Sequence, residues 1–100
     1  MAKIITYEEL KSNMGENCYI IDIRTSYEFA SYHLPGAVNI PYDLLMTYPE
    51  HYLKRDESYF LICEHGSVSM RAATILESYG YVATSIRGGY EEQHARLYSY

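Results

Sequence analysis

One hundred residues, 48% of them hydrophobic and 21% charged, make a small domain with enough apolar side chains for a core, which excludes a compositionally disordered chain. The formal net charge of -5 opposes binding to nucleic acid or an anionic membrane, both of which call for clustered Lys and Arg. No run approaches the roughly 20 apolar residues of a membrane span.

The opening "MAKIITYEEL" lacks the apolar centre of a secretory signal, so a cytoplasmic address is expected. The two cysteines show no CxxC or Cys/His spacing, which implies neither a disulfide framework nor a zinc site. Any cysteine chemistry is then thiol chemistry. No metal-ligand cluster and no GxxxxGK phosphate loop is present, so no cofactor is implied.

In chain order, "KII" predicts a first strand, and Thr6 with Glu9 forms a capping box that opens a helix through about Ser12. "CYIIDIR" is almost continuously apolar and predicts a strand buried on both faces. Thr25 and Glu28 repeat the capping box before "SYEFASYH", which "LPG" stops. A brief strand "AVNI" ends at Pro41, and "YDLLMTY" reads as a short helix up to Pro49. "YFLI" is the next strand, followed by the polar turn "EHGSVS" and a helix starting near Ser69 with Gly80 at its C-terminus. "YVATSI" gives another strand, and "RGG" turns into a last helix, "YEEQHARLY". Short strands alternating with helices predict an α/β domain over residues 1–100, with a mostly parallel sheet covered by helices on both faces. Ligands of such sheets bind outside the carboxyl ends of the strands.

Cys63 falls at one of those ends. Turn amides and the dipole of the following helix favour an anion there, and a thiolate is such an anion. Gly66 lets the loop curl, and Ser67 and Ser69 offer hydroxyl donors. Two readings of the spacing stand side by side: an activated nucleophile, or a small buried hydrophobe at a strand end.

Three blocks in order, "YIIDIRTSYEFASYHLPGAVNIP", "YFLICEHGSVSMRAATILESYGY" and "SIRGGYEE", resemble the rhodanese-like superfamily, closest to the bacterial single-domain thiosulfate sulfurtransferases with a Cys-x-His-Gly-x-x-Ser loop. The likeness spans about residues 4 to 96. The resemblance implies a five-stranded sheet and a loop "CEHGSV" whose amides cradle the cysteine sulfur. By position, Cys63 is then the sulfur acceptor, Glu64, His65, Gly66, Ser67 and Val68 form the cradle, Asp22 and Arg24 fill a D-x-R motif, and Gly88 and Gly89 form the GG turn near the pocket. It also implies transfer of sulfane sulfur from thiosulfate or a carrier persulfide, through a Cys63 persulfide, to cyanide, a thiol or a sulfur-relay protein.

The chain departs from the family pattern at three positions. Val68 stands where many members carry Arg, Glu64 adds a negative charge beside a site for anions, and Gln93 replaces a common Trp. Val68 and Glu64 lower the expected affinity for thiosulfate, Gln93 implies a different packing of the last helix, and all three keep a non-catalytic, protein-binding module as the alternative. A cysteine phosphatase needs Arg six residues after its cysteine; Ser69 occupies that position and Arg71 comes too late. The other candidates have plainer readings beside their functional ones. His65 orients the loop or meets substrate, or else is an exposed loop histidine. Arg71 reaches the pocket rim or lies on the helix surface. Asp22 and Arg24 hold the loop by a hydrogen-bond network at the strand end more than they take part in chemistry. Cys18 is assigned no function, and the 13 tyrosines read as core and rim residues.

Overall fold

The computed structural model describes residues 3–97, with side chains through Gln93. Its elements are β1 (Lys3–Ile5), α1 (Tyr7–Asn13), β2 (Cys18–Asp22), α2 (Ser26–Ser31), β3 (Val38–Asn39), α3 (Tyr42–Thr47), α4 (Pro49–Tyr52), β4 (Ser58–Ile62), α5 (Ser67–Ser78), β5 (Val82–Ile86) and α6 (Gly89–Leu97). The five strands form one sheet in the order β1-β5-β4-β2-β3, with every described pairing parallel. The expected α/β class and five-stranded sheet are therefore present, and the sheet is wholly parallel.

The core follows from strand alternation. Ile21 pairs with Leu61 and Ile20 with Phe60, so successive residues face opposite sides of the sheet. One side buries Ile21, Tyr59, Leu61 and Ala83 against Leu45 of α3, Leu53 beyond α4, and Ala72, Ala73 and Leu76 of α5. The other buries Ile20, Ile62 and Ile86 against Leu10 of α1 and Tyr90 of α6, with Phe29 of α2 packed alongside. Two apolar faces need two covers, and the helices supply them. No helix among the described residues is long and apolar enough to cross a membrane.

Both capping boxes form. Glu9 N–H donates to Thr6 Oγ1 at 3.1 Å and Thr6 N–H to Glu9 Oε1 at 3.0 Å; the reciprocal bonds between Thr25 and Glu28 are both 3.2 Å. The C-terminus of α5 closes as expected at Gly80, whose N–H donates to Glu77 O at 3.0 Å while Tyr81 N–H donates to Leu76 O at 3.1 Å.

Several boundaries differ from the sequence expectation. β2 ends at Asp22 instead of Arg24, because the Asp22 carboxylate captures the Arg24 amide at 2.9 Å and turns the chain out of the ladder. α2 stops at Ser31, where Tyr32 turns extended, and not at His33. Pro49 ends α3 but also opens the further short helix α4, since proline is well placed at a first helical position. α5 begins at Ser67, two residues before the expected Ser69. The expected last helix extends to Tyr98, which lies outside the described residues.

Candidate active site

Cys63 directly follows β4, the central strand, at the carboxyl edge of the sheet between the ends of β2 and β5. It is 4% exposed. Its Sγ accepts the Gly66 N–H at 3.1 Å and the Ser69 N–H at 3.3 Å, and lies 3.4 Å from Ser69 Oγ. Gly66 caps α5 at φ 96°, a left-handed conformation that glycine adopts without strain and that turns its amide back toward the sulfur. Sγ therefore sits at the N-terminus of a 12-residue helix whose first-turn amides have no partner within the helix. Ser67 and Val68 belong to the first turn of α5, and the second amide on the sulfur comes from Ser69. Val68 is half-buried and packs against the core.

The GG turn meets this loop from β5. A Cβ placed on Gly66 would come within 2.9 Å of Gly88 N, so the two backbones touch. The Tyr90 and Glu91 amides of α6 donate to the carbonyls of Cys63 and Glu64 at 3.0 and 2.8 Å. The amides at one helix start thus face the sulfur, while those at another hold the loop's carbonyls.

Below the loop lies a buried ionic network. The Asp22 carboxylate, fully buried, accepts Arg24 Nη2 at 2.8 Å, Arg24 Nε at 3.1 Å and Tyr90 Oη at 2.9 Å. The Arg24 guanidinium lies over the Tyr90 ring, 3.9 Å from its centroid, and donates to Tyr32 O at 2.7 Å. Burial works against this cation, but the hydrogen bonds and charge of Asp22 outweigh it and hold the guanidinium above its ordinary range. Burial likewise pushes the Tyr90 phenol up, against the opposing Leu34 amide, so Tyr90 stays neutral and donates to Asp22. The remaining Arg24 arm reaches the loop, where Nη1 donates to Glu64 Oε1 at 3.3 Å. Tyr32 Oη donates to the same carboxylate at 3.2 Å. Glu64 is thus tethered to Arg24 and Tyr32, and its charge is partly offset.

The sequence candidates therefore separate. Cys63, Gly66, Ser69, Gly88 and Gly89 come together around the sulfur and its loop, and Asp22 and Arg24 join through Glu64. His65 and Ser67 are exposed, with His65 Nδ1 2.7 Å from Glu91 Oε2. Arg71 is exposed on α5, and none of the described contacts joins it to the loop. Cys18 starts β2, at the opposite edge of the sheet, and both cysteines are free thiols. Tyr32, Tyr90 and Ser85 do not stand out in the sequence. Ser85 offers one signal, a polar residue at an inward position of an apolar strand. Among the described residues, no group of three or more His, Cys, Asp or Glu is placed to hold a metal. What the arrangement can do is hold an anionic sulfur against fixed N–H donors.

A family model described as "Rhodanese-like domain" matches residues 6–96. Among solved structures, the chain is similar to a rhodanese-related protein from Thermoplasma volcanium, with 26% identity over 96% of this chain and 94% of that one and a TM-score of 0.84. It is also similar to a rhodanese-like domain protein from Staphylococcus aureus, with 31% identity over 87% and 86% of the two chains and a TM-score of 0.77. A rhodanese homolog from Thermus thermophilus shares 36% identity over 89% of this chain and 96% of that one, with a TM-score of 0.68. With the family model covering nearly the whole chain and the sheet, loop and helix arrangement described above, the chain belongs to the rhodanese-like domain family, a superfamily of sulfurtransferases and sulfur carriers.

Proposed function

We propose that this protein moves sulfane sulfur through a persulfide on Cys63, as a sulfurtransferase or sulfur carrier working in a reducing, cytoplasmic setting. The observation that carries the reading is the convergence of the Gly66 and Ser69 amides on the Cys63 sulfur at the start of α5. The Cys63 thiolate attacks the outer sulfur of thiosulfate, the sulfur–sulfur bond breaks, and sulfite departs with the electron pair. The persulfide's terminal sulfur carries the negative charge, which first-turn amides stabilise as they would an oxyanion. A thiolate or cyanide then attacks that sulfur and leaves as persulfide or thiocyanate, returning the electron pair to Cys63. No external oxidant or reductant is needed. A protein persulfide serves as donor by the same steps, and a sulfur-relay protein is the corresponding partner.

The direct test is intact-mass measurement after incubation with thiosulfate, followed by peptide mapping. A gain of one sulfur atom on Cys63 and none on Cys18, released by cyanide, is the expected result. Absence of the adduct with thiosulfate and with a small-molecule persulfide would leave the chain a protein-binding module. Hydrolysis of an aryl phosphate stays at background, since no Arg stands in the loop to fork onto phosphate; Cys63-dependent phosphate release would refute the assignment.

Glu64 sets the preference among donors. Its carboxylate, one-third exposed, stands over Arg24, the cation nearest the loop in this network. Thiosulfate carries two negative charges and meets that carboxylate at the loop. Glu64→Gln removes one charge, and at a partly exposed position this is worth about 1 kcal/mol, or about fivefold in sulfur loading at low thiosulfate. The gain shrinks as salt is added. Loading that is unchanged at low ionic strength would show that Glu64 does not govern access.

A further inference from the structure

Ser85 occupies an inward position on β5 beside Leu61 and is 1% exposed. A hydroxyl at that depth requires a hydrogen-bond partner. Its partner is Ser69, with the two Oγ atoms 2.7 Å apart. Ser69, itself 0% exposed, also has its Oγ 3.1 Å from Gly66 O and 3.4 Å from Cys63 Sγ. Three groups therefore converge on one hydroxyl, which has one proton and two lone pairs.

Counting protons fixes what Ser85 does. When Cys63 is a thiol, Ser69 gives its proton to the Gly66 carbonyl, which only accepts, and its lone pairs take the thiol proton and the Ser85 proton. When Cys63 is a thiolate, the sulfur only accepts, and the Ser69 proton turns toward it. Ser85 then remains the donor to Ser69 Oγ. Without Ser85, the Ser69 oxygen, sealed from water, would have no donor in the very state that the chemistry uses. A donor to a hydroxyl that is itself donating strengthens the second bond.

We infer that Ser85 is a positioning residue for Cys63, holding Ser69 as a third hydrogen-bond donor to the anionic sulfur beside the Gly66 and Ser69 amides. The inference rests on the proposed nucleophilic role of Cys63 only in requiring a thiolate, and it adds a residue from a different strand to the site.

The test is alkylation of Cys63 by iodoacetamide at neutral pH, in a Cys18→Ser background that leaves one thiol. Ser85→Ala slows the reaction about three- to tenfold, as expected for weakening one hydrogen bond to a charged atom. Ser85→Thr and Ser85→Val have the same shape and differ in the hydroxyl alone; Thr reacts close to the parent rate and Val as slowly as Ala. In a Ser69→Ala background, Ser85→Ala has no further effect, because the path to the sulfur is already cut. Equal rates for Thr and Val, or the same slowing with and without the Ser69 hydroxyl, would overturn the inference. The readout needs no sulfur donor. If the parent forms no persulfide yet shows this pattern, the sulfur-transfer reading fails and the positioning role stands.

Discussion

Asp22→Ala is expected to cost about 3–5 kcal/mol of folding stability, a large share of the roughly 5–15 kcal/mol that holds a domain folded. The reason is the group left behind. Arg24 has a side chain only 3% exposed, and Asp22 is its close buried counter-charge at 2.8 Å. Glu64, at 3.3 Å and one-third exposed, is a weaker substitute. Removing Asp22 therefore strands a buried cation and also deprives the Tyr90 phenol of its acceptor. At roughly 4–8 °C per kcal/mol for a domain of this size, the melting midpoint falls by at least about 12 °C. Asp22→Leu combined with Arg24→Met removes both charges and recovers part of the loss, because much of the single-variant cost is an unpaired charge and not the worth of the pair. Denaturant melts of the three proteins check both claims. A single-variant loss below about 1 kcal/mol would mean that water reaches Arg24 freely.

That network explains how a residue on β2 matters to a loop after β4. Arg24 spans from Asp22 to Glu64, while the Tyr90 phenol rests on Asp22 and its amide holds the Cys63 carbonyl. Loop, sheet edge and α6 are therefore fastened at one point. The local consequence is a sulfur held among fixed donors, which is the condition for electrostatic stabilisation without reorganisation.

How much of this is legible in the sequence depends on how far apart the interacting residues lie in the chain. The capping boxes at Thr6 and Thr25 are readable because each is complete within four residues. Cys63 is readable because an apolar run, a turn and a helical pattern follow each other directly. The sequence places the start of α5 too late, since Gly66 caps it through backbone conformation and not through a side chain that a pattern would reveal. Pro49 reads as a stop because a proline ends one helix as readily as it opens another. Tyr90 and Tyr32 are lost among 13 tyrosines. Nothing near either one distinguishes a phenol that seals an ion pair from one on the rim, and the Tyr90–Asp22 bond joins residues 68 apart. Glu64 shows the same limit in reverse. Its position beside the cysteine is plain, but its tether to Arg24 forms only once β2 and β4 lie side by side.

Gly89→Ala is expected to be the most disruptive single-methyl change at the site. Gly89 adopts φ +59°, and a Cβ there would overlap Cys63 O and lie 2.7 Å from the carbonyl carbon and oxygen of Glu64. Both neighbours are backbone atoms of the loop, so no side chain can swing aside. Room can come only by moving α6 away, which breaks the amide bonds from Tyr90 to Cys63 O and from Glu91 to Glu64 O. The left-handed conformation costs about 1–2 kcal/mol for a residue with a side chain, and the lost contacts bring the total to about 3 kcal/mol or more. Gly36→Ala separates the two contributions. Gly36 has φ +82°, and a methyl added there would meet nothing within 4 Å, so that variant carries the conformational cost alone, about 1–2 kcal/mol. Chemical melts therefore rank Gly36→Ala well above Gly89→Ala in stability. Cys63 alkylation in Gly36→Ala keeps the parent rate, whereas in Gly89→Ala it departs from it, because the loop that positions the sulfur has shifted. If the two variants are equally stable and equally reactive at Cys63, α6 is not what holds the loop in place.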